Sequence, residues 1–331
     1  MKEQPIGLDI GTMFLVSAEK SGDGQITFSK LRNMFLRVDD PMSLDLSKIS
    51  HAIIDNELFI LSEDAYSLPS ILGHRVDRPM VHGFINPTEI NSLDVLSTMI
   101  KRLIGTCEGN FPCCFSVPGN PIDLEANVLY HRKVLERIVK SLGYNPIPLN
   151  EAAAIVLSEC DNFNGIGISF GAGATNVAIT YKAIPVFDFC VVRGGDWIDE
   201  NAANATGTIP SRITSLKERH IDLSNFEQGE KRERRIREAV VYYYAELIRY
   251  TLNTIMKELV RRTEKLNLPD EIPLVVSGGT SLAQGFMTLF NQLLDSYRSK
   301  LPFKLSEVRQ AKDPLNAVAE GCLIRALVQL K

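Results

Sequence analysis

The clearest pattern of hydrophobic and polar positions lies in residues 165–180. An apolar run leads to glycines at Gly171 and Gly173, and an alternating run rich in β-branched residues follows from Thr175 to Thr180. This pattern predicts a strand, a glycine turn and a returning strand. Glycines let backbone N–H groups approach a ligand closely, and an array of N–H groups suits an anion such as phosphate.

A second stretch with the same pattern opens the chain. Residues 7–12 form an apolar run that ends in a glycine turn, and residues 15–18 continue as a second apolar run. Either stretch alone is typical of an ordinary hairpin. Together they indicate two related half-domains that grip one polyphosphate from both sides.

The remaining periodicity alternates between helices and strands. Asn150 and Glu151 open a helix of small residues, and Gly143 closes the helix before it. Predicted strands cover residues 51–54, 58–61, 112–117, 184–192 and 274–277, and predicted helices cover residues 86–104, 124–142, 229–266, about 282 onward and 313 onward.

Composition narrows the classes of protein. The 331 residues are 45% hydrophobic and 23% charged, with a formal net charge of -4. This is an ordinary globular composition, and it predicts no nucleic-acid partner. No apolar run approaches the roughly 20 residues of a membrane span, so we expect no intrinsic membrane anchor. The six cysteines are scattered, which favours reduced, buried thiols in a cytoplasmic protein.

Several short motifs occur in a fixed order along the chain. They are LDIGT (8–12), NEAAA (150–154), SFGAGATNVAI (169–179), GGDWIDE (194–200), VVSGGTS (275–281) and DPLNAVAEG (313–321). This order resembles that of the superfamily of actin, heat-shock chaperones and sugar kinases, and it is most similar to bacterial actins of the MreB type.

The resemblance implies an α/β fold with two actin-like (ribonuclease H-like) domains. Each would contain a mixed five-stranded sheet flanked by helices, with small inserted subdomains. The first domain would cover residues 1–150 and about 305–331, with an insertion at about 31–79. The second would cover residues 151–304, with a helical insertion at about 196–270. Residues 152–154 and 317–319 match the two crossing helices between the halves.

The resemblance also implies a site for ATP or ADP with Mg²⁺. Asp9 would face the hydration shell of the metal, which suits Mg²⁺ because this ion keeps several waters. Lys217 and Glu218 would contact the nucleoside. The implied nucleotide-binding residues are Asp9, Gly11, Thr12 and Met13 in the first phosphate loop; Ser169, Gly171, Ala172, Gly173, Ala174 and Thr175 in the second; Gly194 and Gly195; Lys217 and Glu218; and Gly278, Gly279 and Thr280 in the adenosine loop.

Hydrolysis requires a group that orients the attacking water. Glu125 has the bacterial-actin spacing after Val117–Pro118, and Asp123 is the alternative. A helix first-turn acid that favours the helix dipole would look the same as Glu125.

One position departs from the family pattern. Ser169 stands where the second phosphate loop normally begins with an aspartate. A hydroxyl contributes no charge beside the metal, which predicts slow hydrolysis with nucleotide binding retained. Ser169→Asp would then raise turnover, unless another group such as Asp123 replaces the missing acid, in which case the new carboxylate would crowd the site.

Four functions follow from these observations. The first is a cytoskeletal ATPase that self-associates into nucleotide-dependent filaments, with an adaptor protein as a further partner. The second is a monomeric chaperone-type nucleotide switch, the third a sugar or acetate kinase, and the fourth a non-catalytic ATP-binding scaffold. The sequence leaves the choice between ATP and GTP open.

Overall fold

A computed structural model describes residues 3–38, 45–68, 76–125, 128–219, 221–225, 230–262 and 269–330. Its chain divides into two units, which are taken in turn below. Unit 1 comprises Met1–Pro118, Ala126–Leu149 and Val318–Lys331, and unit 2 comprises Gly119–Glu125 and Asn150–Ala317.

The described elements follow in chain order. They are β1 (Ile6–Ile10), β2 (Phe14–Lys20), β3 (Ile26–Arg32), β4 (Phe35–Val38), a 3-10 helix (Leu46–Lys48), β5 (His51–Ile54), β6 (Glu57–Leu61), α1 (Ser62–Ser67), β7 (Met80–Val81), β8 (Phe84–Ile85), α2 (Ser92–Ile104), β9 (Pro112–Val117), α3 (Val128–Ser141), β10 (Asn145–Asn150), α4 (Glu151–Glu159), a 3-10 helix (Asp161–Phe163), β11 (Gly165–Phe170), β12 (Thr175–Tyr181), β13 (Ile184–Val191), α5 (Gly195–Thr206), α6 (Pro210–Glu218), α7 (Lys231–Arg262), β14 (Glu271–Ser277), a 3-10 helix (Gly279–Leu282), α8 (Phe286–Arg298), β15 (Lys304–Gln310) and α9 (Ala317–Val328).

Unit 1 is built on a five-stranded mixed sheet. The strand order is β10-β9-β1-β2-β3, with β1 antiparallel to β2 and parallel to β9. The apolar face of α2 packs into the core of this unit because Val95, Leu96, Met99 and Ile100 follow helical spacing and are all fully buried.

A small second sheet follows β3 in the chain. Its order is β4-β6-β5, and its core includes Leu36, Ile60 and Ala65. The two strands predicted within residues 51–61 are therefore present. Residues 39–44 and 69–75 of the predicted insertion lie outside the described residues.

Unit 2 repeats the five-stranded arrangement. The order is β13-β12-β11-β14-β15, with β11 antiparallel to β12 and parallel to β14. Every residue of β11 is buried, as expected for a central strand covered on both faces. One face of α7 packs into this core at Ile236, Val240 and Leu247. The predicted ends of the α7 pattern, residues 229 and 266, lie outside the described residues.

Each central sheet carries one helix at very close range. A Cβ on Gly7 of β1 would lie 2.1 Å from the Ala319 carbonyl oxygen of α9, and a Cβ on Gly167 of β11 would lie 2.1 Å from the Ala152 carbonyl oxygen of α4. No side chain fits at such distances, so glycine on the strand and small residues on the helix are required together. The same close approach of helix to strand occurs in both units, and it involves the two helices that contain residues 152–154 and 317–319.

Two helices begin later than their sequence pattern predicts. The helix expected from residue 86 begins at Ser92, because Asn86 accepts hydrogen bonds from the backbone N–H and the hydroxyl of Thr88 and so forms a turn. The helix expected from residue 124 is described from Val128, and residues 124 and 125 are not helical. In front of it, Asn120 and Ile122 pair with Cys190 of β13 through backbone hydrogen bonds.

Further differences lie near the C-terminus, where the helix expected from residue 313 begins at Ala317. The helix expected from about residue 282 begins at Phe286, after Gly285 with its positive φ of 79°. The predicted domain boundary near residue 305 also differs from the sheet pairing, since β15 pairs in parallel with β14 of unit 2. The predicted 1–150 and 151–304 division otherwise stays a prediction.

The predicted fold class is confirmed: two mixed five-stranded sheets are flanked by helices, with small additional elements. All six cysteines are buried and free. Within the described ranges, no helix has the length and apolar character needed to cross a bilayer.

Candidate functional site

The first predicted phosphate loop is the β1–β2 turn of unit 1. The Gly11 N–H donates to the Phe14 carbonyl at 3.0 Å, which closes the turn. Asn33 supports it from the side, since its amide Nδ2 donates to the Gly11 carbonyl at 2.9 Å and its backbone N–H donates to the Met13 carbonyl at 2.8 Å. The Thr12 hydroxyl oxygen accepts from the Gly83 N–H at 3.1 Å.

Asp9 lies at the end of β1, just before this turn. Its Oδ1 accepts from the Ser116 hydroxyl at 2.8 Å, and the Ser116 oxygen accepts from the Ile10 N–H at 2.8 Å. Burial raises the pKa of Asp9 to about 6, although the Ser116 hydrogen bond acts in the opposite direction. Ser116 therefore fixes the orientation of the one carboxylate that the first loop motif offers.

Met13 is the last of the residues implied for the first phosphate loop, and it is apolar. Its side chain packs against the core of the small β4-β6-β5 sheet, and its sulfur lies 3.7 Å from Nη1 of Arg32. This packing accounts for the apolar residue. Only the backbone of Met13 is left for the predicted ligand contact.

The second predicted phosphate loop joins β11 to β12 in unit 2. The Gly171 N–H donates to the Ala174 carbonyl at 3.0 Å, and the buried Thr175 hydroxyl donates to the Arg193 carbonyl at 2.8 Å. The loop motif Gly171–Thr175 is thus a closed turn tied to the segment that precedes α5.

Ser169, which replaces the family aspartate, has a carboxylate as its partner. Its hydroxyl donates to Oε1 of Glu151 at 2.5 Å, and Nδ2 of Asn176 donates to Oε2 of Glu151 at 2.8 Å. Ser169 and Asn176 are almost completely buried. Glu151 is at the N-terminal end of α4, where Asn150 caps the helix through the N–H groups of Ala152 and Ala153. The carboxylate of Glu151, which belongs to α4, therefore lies beside Ser169 of β11.

Two further loops interlock with the second one. The Gly195 N–H donates to the Gly171 carbonyl and the Asp196 N–H to the Ala172 carbonyl, each at 2.9 Å. The Thr280 hydroxyl also donates to the Gly171 carbonyl, at 2.8 Å. A Cβ on Gly194 would lie 2.4 Å from the Ala172 carbonyl oxygen, so only glycine permits this contact.

The predicted adenosine loop follows β14. Strands β11 and β14 are parallel neighbours with Ser169 beside Ser277, so their following loops meet at one sheet edge. Gly278 has a positive φ of 92° and its N–H donates to the Pro314 carbonyl at 3.0 Å, whereas a Cβ on Gly279 would meet only Leu315, at 3.6 Å. The structure therefore brings together Gly171–Thr175, Gly194–Gly195 and Gly278–Thr280 within unit 2, and these three loops are together called the loop cluster.

Lys217 and Glu218 have different surroundings. Nζ of Lys217 lies 2.7 Å from Oδ1 of Asp199 and donates to the Gly195 carbonyl at 2.7 Å. Glu218 is exposed. Lys217 thus lies beside the loop cluster, but its ammonium group is engaged with protein atoms.

The two candidate water-orienting acids lie in the segment before α3. Both Asp123 and Glu125 are exposed. Asp123 accepts from the Val192 N–H at 2.9 Å and from the Tyr250 hydroxyl at 3.1 Å. These contacts attach the segment to β13 and α7 within unit 2, so the Asp123 carboxylate has a structural role.

Sequence reasoning missed Glu151 as a candidate for the water-orienting role. Its Oε1 would lie 4.0 Å from a Cβ on Gly171, which places the carboxylate at the second phosphate loop itself. The available signal was the capping pair Asn150–Glu151 in front of a helix whose small residues allow close packing on β11. Close packing of that helix brings its first acid to the end of the strand.

The described acidic side chains offer few ligands for Mg²⁺. Throughout the described ranges, no group of three or more His, Cys, Asp or Glu side chains is arranged to hold a metal ion. The oriented carboxylate of Asp9 fits a Mg²⁺ ion that keeps its waters and is held chiefly by nucleotide phosphates. The residues present do not fit a metal centre made of protein ligands alone.

Comparison with known proteins identifies the family. The volactin family model matches residues 4–326. The chain belongs to the volactin family. No curated protein matches the sequence of this volactin-family member.

Solved structures confirm the expected fold of this volactin. MreB5 of Spiroplasma citri bound to ADP has a TM-score of 0.65 and 18% identity, covering 98% of this chain and 96% of that one. The MamK double helical filament has a TM-score of 0.65 and 16% identity, covering 99% and 98%. The ethanolamine utilization protein EutJ from Carboxydothermus hydrogenoformans has a TM-score of 0.57 and 15% identity, covering 98% and 90%. The volactin chain has the actin-like fold, and its similarity to MreB is confirmed at the level of that fold.

Proposed function

We propose that this chain is an actin-like ATP-binding protein that assembles into nucleotide-dependent filaments and hydrolyses ATP slowly. The observation that carries the proposal is the interlocked set of three glycine loops at one sheet edge of unit 2. These loops are held by hydrogen bonds from Gly195, Asp196 and Thr280 to the carbonyls of Gly171 and Ala172. The carbonyls are engaged inside the protein, which favours loops that turn N–H groups toward a phosphate.

The β1–β2 turn of unit 1, with Asp9, is part of the proposal as a phosphate loop on the strength of its motif. The Asp9 carboxylate would face the hydration shell of Mg²⁺, which supplies positive charge beside the phosphates. Support comes from the structures of MreB5 with ADP and with AMPPNP, which share the fold of this chain. Filament formation is supported by the shared fold of the MamK double helical filament. A head-to-tail contact that does not close would give such polymers.

Within the same proposal, Glu151 orients the attacking water. It is at the second phosphate loop, and two donors hold its carboxylate. Asp123 and Glu125 remain the alternatives predicted from the sequence. Phosphate release should fall on Glu151→Gln and persist in Glu125→Gln, and the reverse pattern would return the role to Glu125.

A second candidate function is a nucleotide-binding scaffold without catalysis. It is favoured by Ser169, whose hydroxyl engages Glu151 where a second acid beside the metal was expected. Phosphate release under saturating Mg-ATP separates the two functions. Filaments with ATP and no released phosphate would support the scaffold.

Binding and assembly are tested with the full chain. Mg-ATP at a hundredfold excess over Kd should stabilise the fold by about 2.7 kcal/mol. Gly279→Leu should abolish this gain without unfolding the protein, because a Cβ there meets only Leu315 at an ordinary distance. Gly22→Leu is the matched control, since the space around Gly22 is open.

Electron microscopy and sedimentation with ATP, with ADP and without nucleotide then test assembly. Filaments that depend on the nucleotide are the expected result. An unchanged melting temperature with saturating Mg-ATP would refute the nucleotide-binding proposal. A strictly monomeric protein at tens of micromolar would refute the filament proposal.

A further inference from the structure

Lys217 and Asp199 form an ion pair inside unit 2. The Lys217 ammonium lies 2.7 Å from Oδ1 of Asp199, and the two side chains are only 12% and 4% exposed. The same ammonium donates to the Gly195 carbonyl at 2.7 Å. The ammonium therefore contacts two groups of helix α5, as an ion pair with Asp199 and as a hydrogen-bond donor to Gly195.

The surroundings of Asp199 show that the pair is a built contact. Its second oxygen, Oδ2, accepts from the Thr214 hydroxyl at 2.7 Å, so α6 supplies two partners to one carboxylate. Burial raises the pKa of Asp199 to about 6, and the Lys217 charge opposes that rise. Replacing a buried ion pair by well-packed apolar residues of similar volume is often neutral or stabilising. The pair is therefore weak evidence for a role in stability, and it is open to a role in positioning.

The atom that Lys217 holds belongs to the loop cluster. Gly195 donates its own N–H to the Gly171 carbonyl at 2.9 Å, and Asp196 donates to Ala172 at the same distance. A chain of contacts thus leads from Asp199 through Lys217 and the Gly195 peptide to the second phosphate loop. We call the Asp199–Lys217–Gly195 contact the clasp. Without the clasp, the Gly195 carbonyl would lose its charged donor, and the Gly194–Gly195 loop would be held less firmly against the second phosphate loop.

We propose that Asp199 is a positioning residue for phosphate binding. It holds Lys217, which fixes the Gly194–Gly195 loop against Gly171 and Ala172. The inference rests on the proposed nucleotide binding, but it gives Lys217 a different role from the nucleoside contact that the sequence implied. In that earlier role Lys217 would act on the ligand directly and Asp199 would be dispensable.

A double-mutant cycle separates the two roles. Kd values for Mg-ATP and for adenosine are measured by calorimetry on wild type, Asp199→Asn, Lys217→Met and the double variant. The clasp predicts that each single substitution weakens Mg-ATP binding at least about tenfold, which equals about 1.4 kcal/mol. The double variant should then bind within about twofold of the weaker single, because both changes break one device.

Adenosine supplies the readout that a nucleoside contact would move. Its Kd should stay within about twofold of wild type in every variant, since the clasp acts on the phosphate loop. Lys217→Arg should restore Mg-ATP binding because it keeps the cation. Arg212→Met is the matched control on α6: it removes a cation at an exposed position and should leave both Kd values unchanged.

Each contrary outcome has its own meaning. A Lys217→Met variant that loses adenosine binding while Asp199→Asn binds normally would overturn the clasp in favour of a direct contact. Additive losses in the cycle would overturn it as well. Unfolding curves accompany each variant, and Thr214→Val replaces Asp199→Asn in the cycle where the latter does not fold; Thr214→Val removes the hydroxyl that bonds Oδ2 of Asp199 and the Pro210 carbonyl. A wild-type protein that binds no nucleotide would instead refute the proposed function.

Discussion

The contact between Ser169 and Glu151 favours the second of the two outcomes that the sequence left open for Ser169→Asp, with Glu151 instead of Asp123 as the nearby acid. The Ser169 oxygen lies 2.5 Å from Oε1 of Glu151. An aspartate at this position would bring a second carboxylate within about 3 Å of the first. At an effective dielectric constant of about 20, two such charges repel by about 5 kcal/mol.

This repulsion is far larger than the hydrogen bond that is lost. The pair would respond by sharing a proton, as closely spaced carboxylates do, or by displacing Glu151. Either response removes the oriented carboxylate at neutral pH. We therefore expect Ser169→Asp to destabilise the protein by several kcal/mol and to lower phosphate release, contrary to the motif-based expectation that it raises turnover.

The assay is a second mutant cycle. Urea unfolding is measured at pH 7 and pH 5 on wild type, Ser169→Asp, Glu151→Gln and the double variant. The double variant should recover most of the stability lost in Ser169→Asp, because only one of the two acids remains. Lowering the pH should also reduce the loss, since protonation relieves the repulsion. A Ser169→Asp protein that is as stable as wild type at pH 7 and releases phosphate faster would refute this reasoning.

Three other predictions concern stability. Gly7→Ala should cost several kcal/mol and lower the melting temperature, because its Cβ would meet the Ala319 carbonyl oxygen at 2.1 Å; a melting temperature equal to wild type would contradict the close packing of α9 on β1. Gly278→Ala should likewise lower the melting temperature, by the cost of a positive φ together with a Cβ 2.4 Å from the Phe170 carbonyl oxygen, and calorimetry checks it. Burial lowers the pKa of His131 from 6.5 to about 4, so protonation favours the unfolded chain and stability falls as the pH drops through this window. Between pH 7.5 and 5.5, the wild-type protein should lose about 1.4 kcal/mol of unfolding free energy relative to His131→Asn in urea titrations. Parallel losses in both proteins would contradict this prediction.

Local patterns in the sequence predicted the parts of the fold that depend on neighbouring residues. The two glycine hairpins were predictable because each strand and its turn are contiguous, and the helix start at Asn150 was predictable because a cap bonds residues two and three positions ahead. The start of α3 was not predictable in this way. The residues before it pair with β13, and their partner Cys190 is some seventy positions away in the chain.

In the candidate site, too, features of contiguous residues were predictable and contacts between distant residues were not. The loops were predicted from glycine and β-branched residues, but the side-chain contacts between loops were not. Glu151 reaches Ser169 only because α4 packs at backbone distance on β11, and Lys217 turns inward only because Asp199 lies on the neighbouring helix. A motif shows which residue types are present, whereas such contacts arise from the packing of elements that are distant in sequence.

The position of α9 in the chain has a consequence for synthesis. This helix packs on Gly7 near the start of the chain, yet it follows all of the residues from Asn150 to Ala317 that form the bulk of unit 2. A ribosome adding about 5–20 residues per second needs on the order of 10 to 30 s for those roughly 170 residues. During that time the face of β1 at Gly7 is not yet covered by α9, while most of unit 2 has been synthesised and can fold. The unit that leaves the ribosome first is therefore the one that is completed last.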